Sequence, residues 1–440
     1  MDMLNLDLDR LRSDVEACDG FQTQGRLRVI EEGLACALPA ALGDQCRILE
    51  PSGRAIPAEV IGFRRGLAQL APYELAEELR SGLPVVRDPE RRKVPVGSGV
   101  LGRILDGIGR PIDGRGPVLP GERRVVRNTP PSPLQRGRID RPFVTGQKVI
   151  DGLLLCGKGQ RLGIFAGSGV GKSTLLGQIA KTAEADLNVI CLVGERGCEL
   201  RPFVEDCLGP EGLAKSAVII SSCEQLPMMR IRAVETSIAI ADSFRARGKN
   251  VLFFLDSLTR LAMAQRELGL SLGEPPSARG YTPSVFQLLA NTVEQLGNGT
   301  TGSITGFLTV LVEGDDLGEP VADSARSLLD GHIVLDRKLA EAGHFPAINV
   351  SQSVSRAFLQ VSDPAQQVAA RKIRQIMATY AEVQDLIRIG AYVKGTSPQV
   401  DKVLELMPAV NAFVQQGLSD RMTFAETQAA MQKVATAWQY

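Results

Sequence analysis

The sequence predicts an α/β core built on a mostly parallel sheet, preceded by a small β-barrel and followed by a helical domain. Three observations predict it. From about residue 148, apolar runs such as Leu162-Gly163-Ile164-Phe165, Val189-Ile190-Cys191-Leu192-Val193, Val218-Ile219-Ile220 and Val251-Leu252-Phe253-Phe254-Leu255 are continuous, as strands buried on both faces are. Longer helical segments such as residues 228–247 separate them, which places helices on both faces of the sheet. Residues 25–95 carry short alternating runs instead, among them Arg26-Leu27-Arg28-Val29 and Ala58-Glu59-Val60-Ile61. The breaks at Leu42-Gly43-Asp44 and Pro51-Ser52-Gly53-Arg54 give the strand spacing of a small barrel. After about residue 360 no strand pattern survives, and residues 369–387 and 424–438 read as helices.

With 440 residues the chain is too long for one small core. The division is an N-terminal helix over residues 1–24, the barrel over 25–95, the α/β core over 96–358 and the helical domain over 359–440. Residues 102–133, dense in Gly and Pro, read as an extended connector. Leu4, Leu8, Leu11, Val15 and Cys18 recur at helical spacing near the N-terminus. This stripe either docks on its own domain or serves as an arm for a partner.

Lys plus Arg and Asp plus Glu number 50 each, so no global charge draws the chain to nucleic acid or a membrane. No apolar run reaches the ~20 residues needed to span a bilayer, and the first residues lack the pattern of a signal peptide. The expected location is the cytoplasm. The eight cysteines (18, 36, 46, 156, 191, 198, 207 and 223) form no Cys-x-x-Cys pair, and the only histidines are His332 and His344. Buried reduced thiols are therefore expected rather than a zinc site.

Gly167-Ser168-Gly169-Val170-Gly171-Lys172-Ser173, preceded by Ala166, stands between a strand and a helix. Glycines let backbone N–H groups converge on phosphate oxygens at a helix N-terminus. Lys172 then reaches the β- and γ-phosphates of a nucleotide, and the Ser173 hydroxyl binds Mg²⁺. Thr174 completes the loop. The core is thus expected to be a P-loop (RecA-like) fold. Asp256 ends the most apolar strand, where an acidic partner for the metal belongs; it could also cap the helix that follows. Glu195 follows a strand and Gly194, at the carboxyl edge where such sites lie. Its alternatives are activation of water and an ion pair with Arg196.

Together these segments resemble the catalytic-chain family of rotary ATP synthases and type III secretion ATPases, from about residue 25 to residue 418. Residues 96–103 and 106–114 resemble the family's connector, Gly194-Glu195-Arg196 its catalytic-glutamate motif, and residues 346–356 its signature segment. Residues 256–267, 273–276 and 279–286, with Gly390-Ala391-Tyr392, Gly395 and Pro398, are most similar to the flagellar and injectisome export ATPases. Cys198 departs from the pattern, standing where those enzymes usually carry Arg. The segment 287–297 also differs from their usual basic, Pro-containing helix.

The resemblance implies a protein-exporting ATPase that works as a homohexamer with Mg²⁺, releasing secretion substrates from chaperones and unfolding them. Glu195 would polarise the attacking water and Arg196 would support the site. Arg356 would reach the γ-phosphate bound by a neighbouring subunit, and Phe345 would stack on adenine unless it is an ordinary core residue. Residues 270–279 would line a central pore, and the barrel would tie subunits into a ring. The N-terminal helix would contact a stalk-like regulator. Other partners would be an export gate and chaperone–substrate complexes, with peripheral attachment to an inner-membrane export apparatus. The alternatives within enzymes are a synthase β chain and an RNA-translocating hexameric helicase. The neutral charge and the lack of interleaved aromatic and basic residues in 25–95 speak against nucleic acid.

Overall fold

The computed structural model describes residues 24–30, 33–88, 92–119, 121–126, 129–312, 316 and 318–439. The expected helix over residues 1–24 falls almost wholly outside them. Strands β1 (Gln24–Ile30), β2 (Gly33–Cys36), β3 (Gln45–Leu49), β4 (Ala55–Arg64), β5 (Leu67–Pro72) and β6 (Pro84–Arg87) close a barrel in the order β1-β2-β5-β4-β3-β6. Inward positions alternate along β1 and β3, so Leu27, Cys46 and Ile48 meet in the barrel core. Closure leaves no free strand edge. The barrel rests on the core through Ala71 and Tyr73, which pack with Met228 and Met229.

The core sheet runs through β7 (Ile104–Leu105), β8 (Arg161–Ala166), β9 (Leu187–Val193), β10 (Ser216–Ser221), β11 (Asn250–Asp256), β12 (Ser303–Leu311), β13 (Gly331–Leu335) and β14 (Val354–Ser355). Their spatial order is β14-β13-β8-β12-β11-β9-β10-β7. All neighbours on this path are parallel except β13 and β14. Segment 102–133 is therefore more than a connector, because Ile104 and Leu105 are stitched onto β10 as the sheet's edge.

Helices α1 (Lys148–Leu153), α2 (Lys172–Thr182), α3 (Gly197–Pro202), α4 (Pro227–Arg245) and α5 (Leu258–Ser271) belong to this core. Each side of the sheet carries one large apolar cluster, with Val189, Phe253 and Leu255 in one and Ile190, Leu252 and Phe254 in the other. Alternation within strands buried on both faces produces that division. Beyond it lie α6 (Pro364–Arg388), α7 (Pro398–Val414) and α8 (Phe424–Thr436). Trp438, fully buried, and Phe413, Met431 and Ile373 join the second cluster, so the helical domain packs on the sheet.

Candidate active site

The phosphate loop turns out of β8 into α2. Gly169 (φ 80°) and Gly171 (φ 89°) adopt left-handed backbone, which side chains with a Cβ rarely take. Gly171 is the N-cap of α2, and its carbonyl accepts the first helical bond from the Leu175 amide at 3.0 Å. Gly167 and Val170 are buried, whereas Ser168, Ser173 and Thr174 are exposed on the open side of the loop. Ala166, the departure from the strict motif, is a buried strand-end residue.

Lys172 opens α2 and points across the carboxyl edge of the sheet. Its Nζ lies 2.5 Å from Asp256 Oδ1 and 3.3 Å from Glu195 Oε1. The parallel register of β9 and β11 brings these two carboxylates together, since Leu192 is level with Asp256 and Glu195 follows two residues beyond β9. Asp256 does not cap the next helix. Ser257 does, its hydroxyl accepting from the Arg260 amide. Nor is Glu195 paired with Arg196, which is exposed at the N-cap of α3; its ion pair is with Lys172.

The electrostatics follow from this crowding. Burial raises the Glu195 carboxyl, the nearby Asp256 charge raises it further, and Lys172 only partly offsets them, leaving it pushed up to about 7. Burial alone would pull Lys172 down, but Asp256 and Glu195 outweigh it and hold the ammonium charged. A phosphate entering the loop meets a lysine already pinned beside two carboxylates.

Two side chains escaped the sequence reading. Thr309, fully buried on β12, donates to Asp256 Oδ1 at 2.6 Å. Arg260 on α5 packs against Gly194, immediately before Glu195. Its buried Nε finds no hydrogen-bond partner among the described residues, and its Nη1 reaches only Met263 Sδ at 3.8 Å. A half-buried guanidinium so poorly matched suits an anion. No local pattern marks either residue, because both gain meaning only from strand order.

A cavity of about 710 Å³ opens beside the loop, lined by Val170, Gly171, Thr174, Phe345, Gln416 and Leu418 among others. Phe345 is no core residue. It is 47% exposed, with its ring against Gly171. The Phe345 carbonyl accepts from the Gln416 amide at 2.9 Å, so the helical domain supplies one wall of this pocket.

A Mg²⁺ ion here would meet the Ser173 hydroxyl and the Asp256 carboxylate, hard oxygens suited to that ion. Among the described residues no group of three or more His, Cys, Asp or Glu could hold a metal. The residues therefore fit an ion that arrives with nucleotide phosphates rather than one caged by protein. The cysteines correct the sequence reading in part: Cys36, Cys46, Cys156 and Cys191 are buried, but Cys198 and Cys223 are exposed. No helix among the described residues is long and apolar enough to cross a membrane.

Arg356 lies elsewhere. It is exposed, directly after β14, whose Ser355 pairs with Gly331 at the start of β13. The phosphate loop follows Ala166, level with Leu335 at the other end of that strand. Four residues of strand separate the two levels by about 13 Å.

Comparison with known proteins agrees with this architecture. Residues 146–355 match the ATP synthase alpha/beta family, nucleotide-binding domain, and residues 362–433 match the T3SS EscN ATPase C-terminal domain. The chain is 46% identical to the flagellum-specific ATP synthase of Bacillus subtilis over 95% of its own length and 96% of that protein's. It is 41% identical to the type 3 secretion system ATPase of Xanthomonas euvesicatoria, covering 88% of each. The assembled ATPase EscN of the enteropathogenic E. coli type III secretion system superposes with a TM-score of 0.88 at 40% identity, over 93% of this chain and all of that one. The same ATPase solved in complex with its central stalk EscO gives a TM-score of 0.86 at 41% identity, over 93% of this chain and 100% of that one. The chain belongs to the family of flagellum-specific ATP synthases and type III secretion ATPases, and it is an ATPase.

Proposed function

We propose that the chain hydrolyses ATP as a homohexamer whose sites are each completed by a neighbouring subunit, and that this energises protein export through a flagellar or injectisome apparatus. The position of Arg356 carries the reading. An exposed arginine at the opposite edge of the sheet from the phosphate loop cannot serve its own site, but it can serve the next one in a ring.

Within one site, residues 167–174 cradle the phosphates, and Lys172 leaves its carboxylates to bind the β- and γ-phosphates. Ser173 and Asp256 would hold a Mg²⁺ ion, whose charge would neutralise that of the phosphates. Glu195 orients the attacking water, supported by Arg196. Arg260, packed against Gly194 and short of partners, takes part of the phosphate charge. Phe345 stacks on the base. Arg356 of the adjacent subunit meets charge that builds only in the transition state.

By the same likeness, the barrel ties the ring together and residues 270–279 face a central pore. Residues 1–24 contact a stalk-like regulator. Export-gate and chaperone–substrate partners, and peripheral attachment at the inner membrane, belong to this proposal too. The test is Arg356→Ala. Turnover should fall ~10³–10⁵-fold while the isolated subunit binds ATP as before; normal turnover would refute the shared site.

A further inference from the structure

The backbone that presents Arg356 is held by a clamp at the base of the sheet. The Asp330 carbonyl accepts two hydrogen bonds, from the Arg356 amide at 3.0 Å and from Gln160 Nε2 at 2.9 Å. Gln160 Nε2 also lies 3.1 Å from the Ser355 hydroxyl, which donates to the Leu155 carbonyl at 2.8 Å. Gln160 Oε1 accepts from the Gly157 amide at 2.8 Å. Asp330 is fixed in turn by Arg161, whose Nε and Nη2 reach its two carboxylate oxygens at 2.8 and 2.9 Å.

Gln160 is fully buried and its partners Asp330 and Ser355 are partly buried, so a lost partner strands the Gln160 amide away from water. The Arg356 guanidinium, by contrast, is exposed and touches the Arg326 carbonyl at 3.2 Å. The backbone is fixed and the charged tip is left at the surface.

We infer that Gln160 is a positioning residue for Arg356: its buried amide sets the backbone of Ser355 and Arg356 and thereby aims the guanidinium at the neighbouring subunit. The inference rests on the shared-site reading above. An arginine that must be ordered at the moment of reaction loses part of its effect, whereas one held in advance does not. Gln160 also leads directly into β8, which ends six residues later at Ala166 and the phosphate loop. The element that carries a subunit's own loop is thus rooted in the clamp that aims its arginine outward.

Gln160→Leu in the full-length chain removes the amide at similar volume. The hexamer should lose about 10²-fold in kcat, the scale expected of a ~1 Å misplacement, with KM for ATP and nucleotide binding unchanged. Mixed and allowed to exchange subunits with Glu195→Gln, it should regain activity, since some interfaces then join an intact Glu195 to a well-held Arg356. Mixed with Arg356→Ala it should not, since every arginine in that mixture is absent or misplaced. A general folding defect would not sort the two mixtures in this way.

Wild-type turnover, weakened nucleotide binding, recovery with Arg356→Ala, or no recovery with Glu195→Gln despite exchange would each overturn the assignment. Should Gln160→Leu fail to fold, Ser355→Ala removes one arm of the clamp and should show the same pattern more weakly; normal turnover there would also overturn it. If Arg356→Ala itself remains active, the shared-site reading fails. If Arg356→Ala is inactive and Gln160→Leu is normal, only this inference does.

Discussion

Glu195 sits where burial and a neighbouring negative charge oppose its ionisation, and only Lys172 favours it. A carboxylate that must orient water has to be ionised, so a raised pKa puts the loss of activity on the acid side. We expect kcat/KM for Mg-ATP to rise with pH through about 7 and then level off. Glu195→Gln should bind ATP, lose ~10²–10⁴-fold in turnover and show no such limb; an unchanged profile would assign the titration to another group. Thr309→Val tests the buried hydroxyl under Asp256. A hydrogen bond to a charged group contributes about 1.5–3 kcal/mol, so kcat/KM should fall about 10- to 100-fold without loss of fold. Wild-type activity would reduce Thr309 to packing. Lys172, Glu195 and Asp256 were legible in the sequence because each ends or follows a strand with strong apolar character or lies in a loop with its own spacing. Thr309 was not, since its partner is 53 residues away and only the order β12-β11 joins them.

At the scale of elements, apolar continuity decided what could be read. The strands over residues 187–193 and 250–256 announce themselves, whereas β12, equally central, dilutes its apolar run with Ser303, Thr305, Gly306 and Thr309. The short β13 opens on Gly331-His332. Helix α7 carries Pro408 inside it, and proline argues locally against a helix. In contrast α8 was legible, and it starts with a capping box. The Thr423 hydroxyl accepts from the Glu426 amide while Glu426 Oε2 accepts from the Thr423 amide at 2.8 Å. Thr423→Ala should cost about 0.5–2 kcal/mol, seen as a lower melting temperature, with kcat unchanged in the folded enzyme. A fall in kcat without destabilisation would mean that the helical domain's end takes part in turnover.

For the whole molecule, the sheet separates two duties. Its carboxyl edge gathers Lys172, Glu195 and Asp256, while its amino edge presents Arg356 through β14. On the shared-site proposal a single chain carries both halves of a site and cannot join them alone, which would make assembly part of the chemistry. The most direct test mixes Glu195→Gln with Arg356→Ala, each inactive by itself. After random exchange of subunits in a ring of identical chains, roughly a quarter of interfaces would pair an intact Glu195 with an intact Arg356. Activity should reappear toward that fraction as exchange proceeds. If exchange is demonstrated by labelled subunits and the mixture stays inactive, the two residues do not meet across an interface and the account is wrong.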